Sequence, residues 1–129
     1  MLITKEMYLG LTESHLSEAF GFKGTKKSLE AFALLQKEAL KDGLSLDIAS
    51  SYRSFYRQLQ IFDDKFFSKR ATLDADEKPL DISQFSLEQK CEAILRFSAI
   101  PGMSRHHFGT DFDIYSKNVR QIFFHTYTF

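Results

Sequence analysis

Tryptophan is absent from this chain of 129 residues, cysteine occurs once and proline twice. The lone Cys91 has no partner for an intrachain disulfide, so folding needs no oxidising compartment. Two prolines and six glycines are too few for a collagen-like or low-complexity chain. Neither sign of charge dominates: 17 basic and 17 acidic residues cancel to a formal net charge of zero. Composition therefore offers no basic face for nucleic acid and no acidic tail. No stretch approaches the roughly 18 apolar residues of a membrane-spanning helix. The first residues lack a basic segment followed by a long apolar one, so no signal peptide is visible and the chain as it stands reads as cytoplasmic. A trimmed periplasmic or cell-envelope protein would read the same way.

What is present suits one globular domain, taken as 1–129. Hydrophobic residues make up 43% and charged residues 26%, enough apolar surface for a core and enough polar surface to cover it. Apolar spacing predicts a helix over 26–42, capped by Thr25 and stopped at Gly43. A weaker helix is expected over 12–20. Alternation predicts strands over 44–50 and 110–115, and Ser54 is placed to cap a helix over 55–67 with a stripe of Phe55, Leu59, Phe62 and Phe66. Segment 69–85 is polar, lacks a sustained period and is expected to be a mobile loop. Ser86 and Gln89 form a capping box for a further helix, with Leu87, Ala93, Ile94 and Phe97 inward and Pro101-Gly102 as its stop. Two strands alone make a poor sheet, and the aromatic segment 119–129 is the candidate for a third.

Chemistry concentrates between residues 101 and 114, where His106, His107, Asp111 and Asp113 lie within eight residues around Gly109. Imidazole and carboxylate are ligand types of catalytic zinc. Gly109 lets the backbone bend sharply between them. Asp111 and Asp113 share a face of an extended strand, so spacing alone does not choose between them. The plainer alternative is a histidine-bearing surface loop followed by a strand with a solvated side. Taken singly, Arg53 reads as a salt bridge at a strand end, Gln58 as helix surface, His15 as surface and His107 as a loop residue. Tyr52 and the phenylalanine stripe read as core, and Cys91 as a small buried hydrophobe.

The string Ser104-x-His106-x-x-Gly109-x-x-x-Asp113 resembles the signature of the zinc D-alanyl-D-alanine carboxypeptidases of the VanY type, which share a fold with the hedgehog signalling domain. The fuller string, Ser104 to Asp113, resembles a subgroup that normally has Trp where Phe108 stands. A second block, Ser51-Tyr52-Arg53-Ser54 with Gln58 following, resembles the family's Ser-x-Tyr-Arg-Ser and the Gln five residues after its Arg. The two blocks come in the family's order, and the resemblance spans about 29–115. It implies an α+β fold with helices packed on a small antiparallel sheet. It implies zinc as cofactor, with His106 and Asp113 as two of three protein ligands. It further implies that Arg53 pairs with a carboxylate of a peptidoglycan stem peptide, helped by Gln58 and Ser104. A planar guanidinium with a fork of donors suits that task. Asp111, where many relatives have a small residue, is expected to support a ligand or to face solvent.

The chain also departs from this pattern. Family members carry a general-base Glu and a third ligand His in a later, aromatic-rich segment. Here no acidic residue follows Asp113, His125 is the one later histidine, and Ile122 and Phe123 stand where the Glu would precede it. No catalytic base is therefore assigned. Segment 117–129 is expected to be an atypical tail, with the C-terminal part of the catalytic domain lacking. The leading expectation is a zinc-dependent metallopeptidase acting on peptidoglycan stem peptides, with no nucleic-acid partner and no membrane segment. The alternatives are a degenerate, non-catalytic member that binds a peptide or cell-wall fragment, and a phage-type endolysin that cuts L–D peptide bonds.

Overall fold

The computed structural model describes residues 2–118 and 125–128. Its centre is a three-stranded antiparallel sheet in the order β3 (Leu46–Ser50), β6 (Asp111–Ser116), β7 (His125–Thr128). The helix α2 (Lys26–Lys41) lies against it. Leu29 and Phe32 from α2, Ile48 from β3, and Phe112 and Ile114 from β6 form the buried core. Phe32 and Phe112 are fully buried and meet edge to face, with ring centroids 6.3 Å apart. This is the expected α+β architecture of helices on a small antiparallel sheet. The Thr25 hydroxyl accepts from the Ser28 amide to start α2, and Gly43 follows its end in the left-handed conformation.

The second layer is α3 (Phe55–Phe66) packed on α4 (Leu87–Leu95). Ser54 caps α3, and Ser86 and Gln89 complete a reciprocal capping box on α4. The buried stripe of α3 differs from the expected one: Gln58 and Ile61 are buried, while Leu59 is exposed. On α4, Ile94 is buried but Leu87 is exposed, and so is Phe97, which lies beyond the helix end at Leu95, well before Pro101-Gly102. Segment 69–85 is not wholly irregular. It contains a hairpin of β4 (Thr72–Leu73) and β5 (Pro79–Leu80), followed by the buried Ile82.

The expected helix over 12–20 is replaced by other structure. A five-residue helix, α1 (Lys5–Leu9), precedes a hairpin of β1 (Ser17–Ala19) and β2 (Phe22–Gly24). Phe20 and Gly21 both take positive φ in its two-residue turn, the backbone that matches strand twist in tight hairpins. Ala19 and Phe22 pack on the core, so tertiary contact overrides a weak local helical pattern. No helix among the described residues is long and apolar enough to cross a membrane.

Candidate active site

The two sequence blocks meet through their backbones. The Arg53 amide donates to the His106 carbonyl at 3.0 Å, and His107 Nδ1 donates to the Arg53 carbonyl at 2.7 Å. His107 is fully buried, and its Nε2 accepts from the Gly102 amide at 3.0 Å. These partners fix a neutral imidazole with its proton on Nδ1. Burial pushes the His107 pKa below the ordinary histidine value, outweighing the Arg53 carbonyl, which draws it upward. His107 is thus a structural tie between the blocks, in line with its reading as a loop residue rather than a ligand.

His106 lies in a single 3₁₀ turn, Arg105–His107, whose start is held by Ser104: its hydroxyl accepts from the His106 amide at 3.3 Å. His106 Nδ1 donates to the Asp111 carbonyl at 2.9 Å, so in the neutral ring the lone pair is on Nε2. That lone pair faces Asp113 Oδ2 at 3.4 Å. With the ring neutral, two acceptors face each other here, an arrangement that a cation between them would stabilise. Tetrahedral zinc with ligand bonds near 2.0–2.1 Å sets its ligand atoms about 3.3 Å apart. One imidazole nitrogen and one carboxylate oxygen at this spacing therefore fit a zinc ion. Among the described residues, no group of three His, Cys, Asp or Glu side chains gathers to hold a metal. The backbone of β7 sets His125 opposite Ile114 and Thr126 opposite Asp113. The side chain of His125 and residues 119–124, which hold Ile122 and Phe123, lie outside the described residues.

Asp111 does not face solvent. It is buried, its carboxylate pairs with Arg105 at 3.1 Å, and its carbonyl orients His106. Gly109 takes φ +87, and a Cβ there would come within 2.6 Å of Leu16. The bend between His106 and Asp113 thus needs glycine for both backbone and space. Phe108 is sandwiched between Tyr8 and His15, at centroid distances of 4.8 and 4.9 Å. His15 is half-buried and donates to the Phe108 carbonyl through Nε2, so it is not a plain surface residue.

Arg53 sits beside this pair. Burial lowers its pKa from the ordinary guanidinium value, while the charge of Asp113 acts in the opposite sense. It lines a cleft of about 460 Å³ together with Glu13, Ser50, Tyr52, Arg57 and Arg70. Gln58 is almost fully buried, and both ends of its amide are occupied: Oε1 accepts from Arg53 at 3.0 Å and Nε2 donates to the Ala99 carbonyl at 2.8 Å. Gln58 therefore holds Arg53 in place.

The match to known proteins extends across nearly all of this framework. The family model for VanY, D-alanyl-D-alanine carboxypeptidase, matches residues 22–128. This chain belongs to the VanY family. An uncharacterized protein of Haemophilus influenzae is 38% identical over 105 residues, covering 78% of this chain and 72% of that one. A vancomycin-resistance D,D-pentapeptidase VanY crystallised as a mutant with Zn(II) aligns with a TM-score of 0.61 at 22% identity, over 82% of this chain and 54% of that chain. VanYB in complex with D-alanine-D-alanine aligns with a TM-score of 0.61 at 24% identity, over 82% and 53%. The LD-carboxypeptidase LdcB, described for its peptidoglycan recognition, aligns with a TM-score of 0.57 at 26% identity, over 84% and 46%. The chain spans about half the length of these solved structures.

Within the VanY framework, one contributor carries no mark in the sequence. Ser50 donates a hydrogen bond to Asp113 Oδ2, the same oxygen that faces His106. A serine ending a strand gives no local signal of such a contact. Only the pairing of β3 with β6 reveals it.

Proposed function

We propose that this chain is a zinc-dependent carboxypeptidase of peptidoglycan stem peptides ending in D-alanyl-D-alanine. The observation that carries this reading is the approach of His106 Nε2 to Asp113 Oδ2 at 3.4 Å, with Arg53 beside them. His106 and Asp113 are two of the metal ligands. Arg53 holds the terminal carboxylate of the substrate, Gln58 orients Arg53, and the Ser104 hydroxyl, which accepts from the His106 amide, directs its own hydrogen toward the bound peptide. When bound, zinc polarises a scissile carbonyl and lowers the pKa of a coordinated water. The residues of this chain supply the positioning. The Asp111 carbonyl fixes the His106 tautomer, Ser50 orients Asp113, and the guanidinium of Arg53 fixes the substrate end by paired charge-assisted hydrogen bonds.

The similarity to an LD-carboxypeptidase supports a second choice of bond, between an L-residue and a terminal D-alanine. Zinc stoichiometry and D-alanine release from paired peptides ending in D-Ala-D-Ala or L-Lys-D-Ala test both. One zinc per chain, with release abolished in His106→Ala, is the expected result. Metal-free protein that releases no D-alanine from either peptide in excess zinc overturns the enzymatic reading. Peptide binding that persists in that case marks a binding member of the family.

A further inference from the structure

The cleft beside the candidate site holds more positive charge than one terminal carboxylate requires. Arg53, Arg57 and Arg70 all line it, and the charges of Arg70 and Arg53 also act on the half-buried Lys65. One carboxylate lines the same cleft, Glu13, and it is bound to Lys23 at 2.8 Å. Asp113 bears on Arg53 but stands with His106. Among the described residues, no carboxylate forms an ion pair with Arg57 or Arg70. The Arg57 guanidinium donates to the neutral Gln60 amide oxygen at 2.8 Å. In a chain of zero net charge, this is a local surplus that an anionic ligand would neutralise.

The backbones of the two extra arginines are anchored by regular structure, and their exposed side chains reach the cleft from there. Arg57 stands in the first turn of α3, directly after the Ser54 cap that follows Arg53. Arg70 follows the end of α3, and its amide donates to the Asp64 carbonyl at 2.9 Å. A volume of about 460 Å³ lies in the range of ligand clefts and spans all three arginines.

We propose that Arg57 and Arg70 form a second anion subsite, which reads a carboxylate on the peptide upstream of the terminal carboxylate held by Arg53. The preferred substrate class is then a stem peptide with a free acidic group near its D-alanyl end, rather than the same peptide with that group amidated. This rests on the reading of Arg53 as the terminal carboxylate anchor.

The test is equilibrium binding by isothermal titration to the full chain, in zinc, using acetyl tetrapeptides ending in D-Ala-D-Ala whose last peptide bond is replaced by a non-hydrolysable isostere. Each of the two upstream positions carries Glu in one peptide and Gln in its pair. At one position, Glu is expected to bind roughly three- to tenfold tighter than Gln, the order given by two partly exposed ion pairs. That ratio is expected to fall toward one in Arg57→Gln and Arg70→Gln, and to shrink as salt is raised. Equal affinity for Glu and Gln peptides at both positions overturns the subsite while leaving the Arg53 anchor standing. A Glu preference that survives both substitutions overturns it as well. Failure of every peptide to bind overturns the anchor reading and the subsite together.

Discussion

Ser50 stands opposite Asp113 because β3 carries one residue more than β6 between two shared pairs. Ile48 pairs with Ile114, and the next pair is Ser50 with Asp113, leaving Ala49 as the extra residue of a bulge. In a regular ladder Ala49 would face Asp113 and Ser50 would face Phe112. Bulges re-aim side chains in this way beside functional sites. Here the bulge keeps Ile48 in the core while turning a hydroxyl onto the carboxylate beside His106.

Ser50→Ala removes that hydroxyl and leaves His106 and Asp113 unchanged. Supporting partners of metal ligands are typically worth ten- to a hundredfold in affinity. Zinc affinity, read by competition with a chromophoric chelator, is expected to fall by about that factor, with far-UV circular dichroism unchanged. An affinity equal to that of the unaltered protein would show that Ser50 has no part in holding Asp113.

Asp113→Asn keeps the size of the side chain but replaces an anionic oxygen with a neutral amide. His106→Ala removes the imidazole and its 2.9 Å bond to the Asp111 carbonyl. Both variants are expected to lose stoichiometric zinc in equilibrium dialysis. The metal-free stability of His106→Ala should fall by about 1 kcal/mol, the usual net worth of one hydrogen bond. Retention of one zinc per chain by both variants would contradict the ligand assignment.

Much of this site is legible in the order of its residues, because its parts are close in sequence. His106, Gly109 and Asp113 lie on one turn and the strand that follows it, so local geometry alone brings them near. The caps at Thr25, Ser54 and Ser86 are legible for the same reason, since capping is a matter of three or four neighbouring residues. The roles of Ser50, Gln58 and His107 are not. Each depends on a partner 41 to 63 residues away, Asp113, Ala99 and Arg53 respectively. Gln58 shows the cost of reading a helix by hydrophobicity alone: the polar residue is the buried one, because it satisfies two partners at once. Segment 12–20 misleads through the same physics, as a hairpin held by Ala19 and Phe22 on a distant core has a weak local pattern.

Gln58→Leu follows from that burial. Leucine fills the space but leaves the Ala99 carbonyl without its donor and one Arg53 nitrogen without its acceptor. Buried polar groups stripped of partners cost about 1–3 kcal/mol. Urea denaturation is expected to register a loss in that range. Peptide affinity should also drop, because Arg53 is no longer held. Gln58→Glu tests the second effect separately, since it keeps an acceptor for Arg53 while losing the donor to Ala99. If both variants bind peptide as the unaltered protein does, the positioning role of Gln58 is wrong.

Gly109 is where fold and site share one constraint. Its φ of +87 is strained for any residue with a side chain, and an added Cβ would meet Leu16 at 2.6 Å and Gly24 at 3.4 Å. Its carbonyl also accepts from the Thr25 amide at 2.9 Å, which ties the bend to the start of α2. Gly109→Ala therefore carries a backbone penalty and a packing penalty together, about 2–4 kcal/mol in all. Leu16→Ala alone costs its own lost packing. In the double variant the clash with Leu16 is relieved but the backbone strain is not. The two substitutions should therefore be less destabilising together than the sum of each alone, by an amount that a double-mutant cycle in urea measures directly. Strict additivity would mean that Leu16 does not press on this turn and that the glycine is required by its backbone conformation alone.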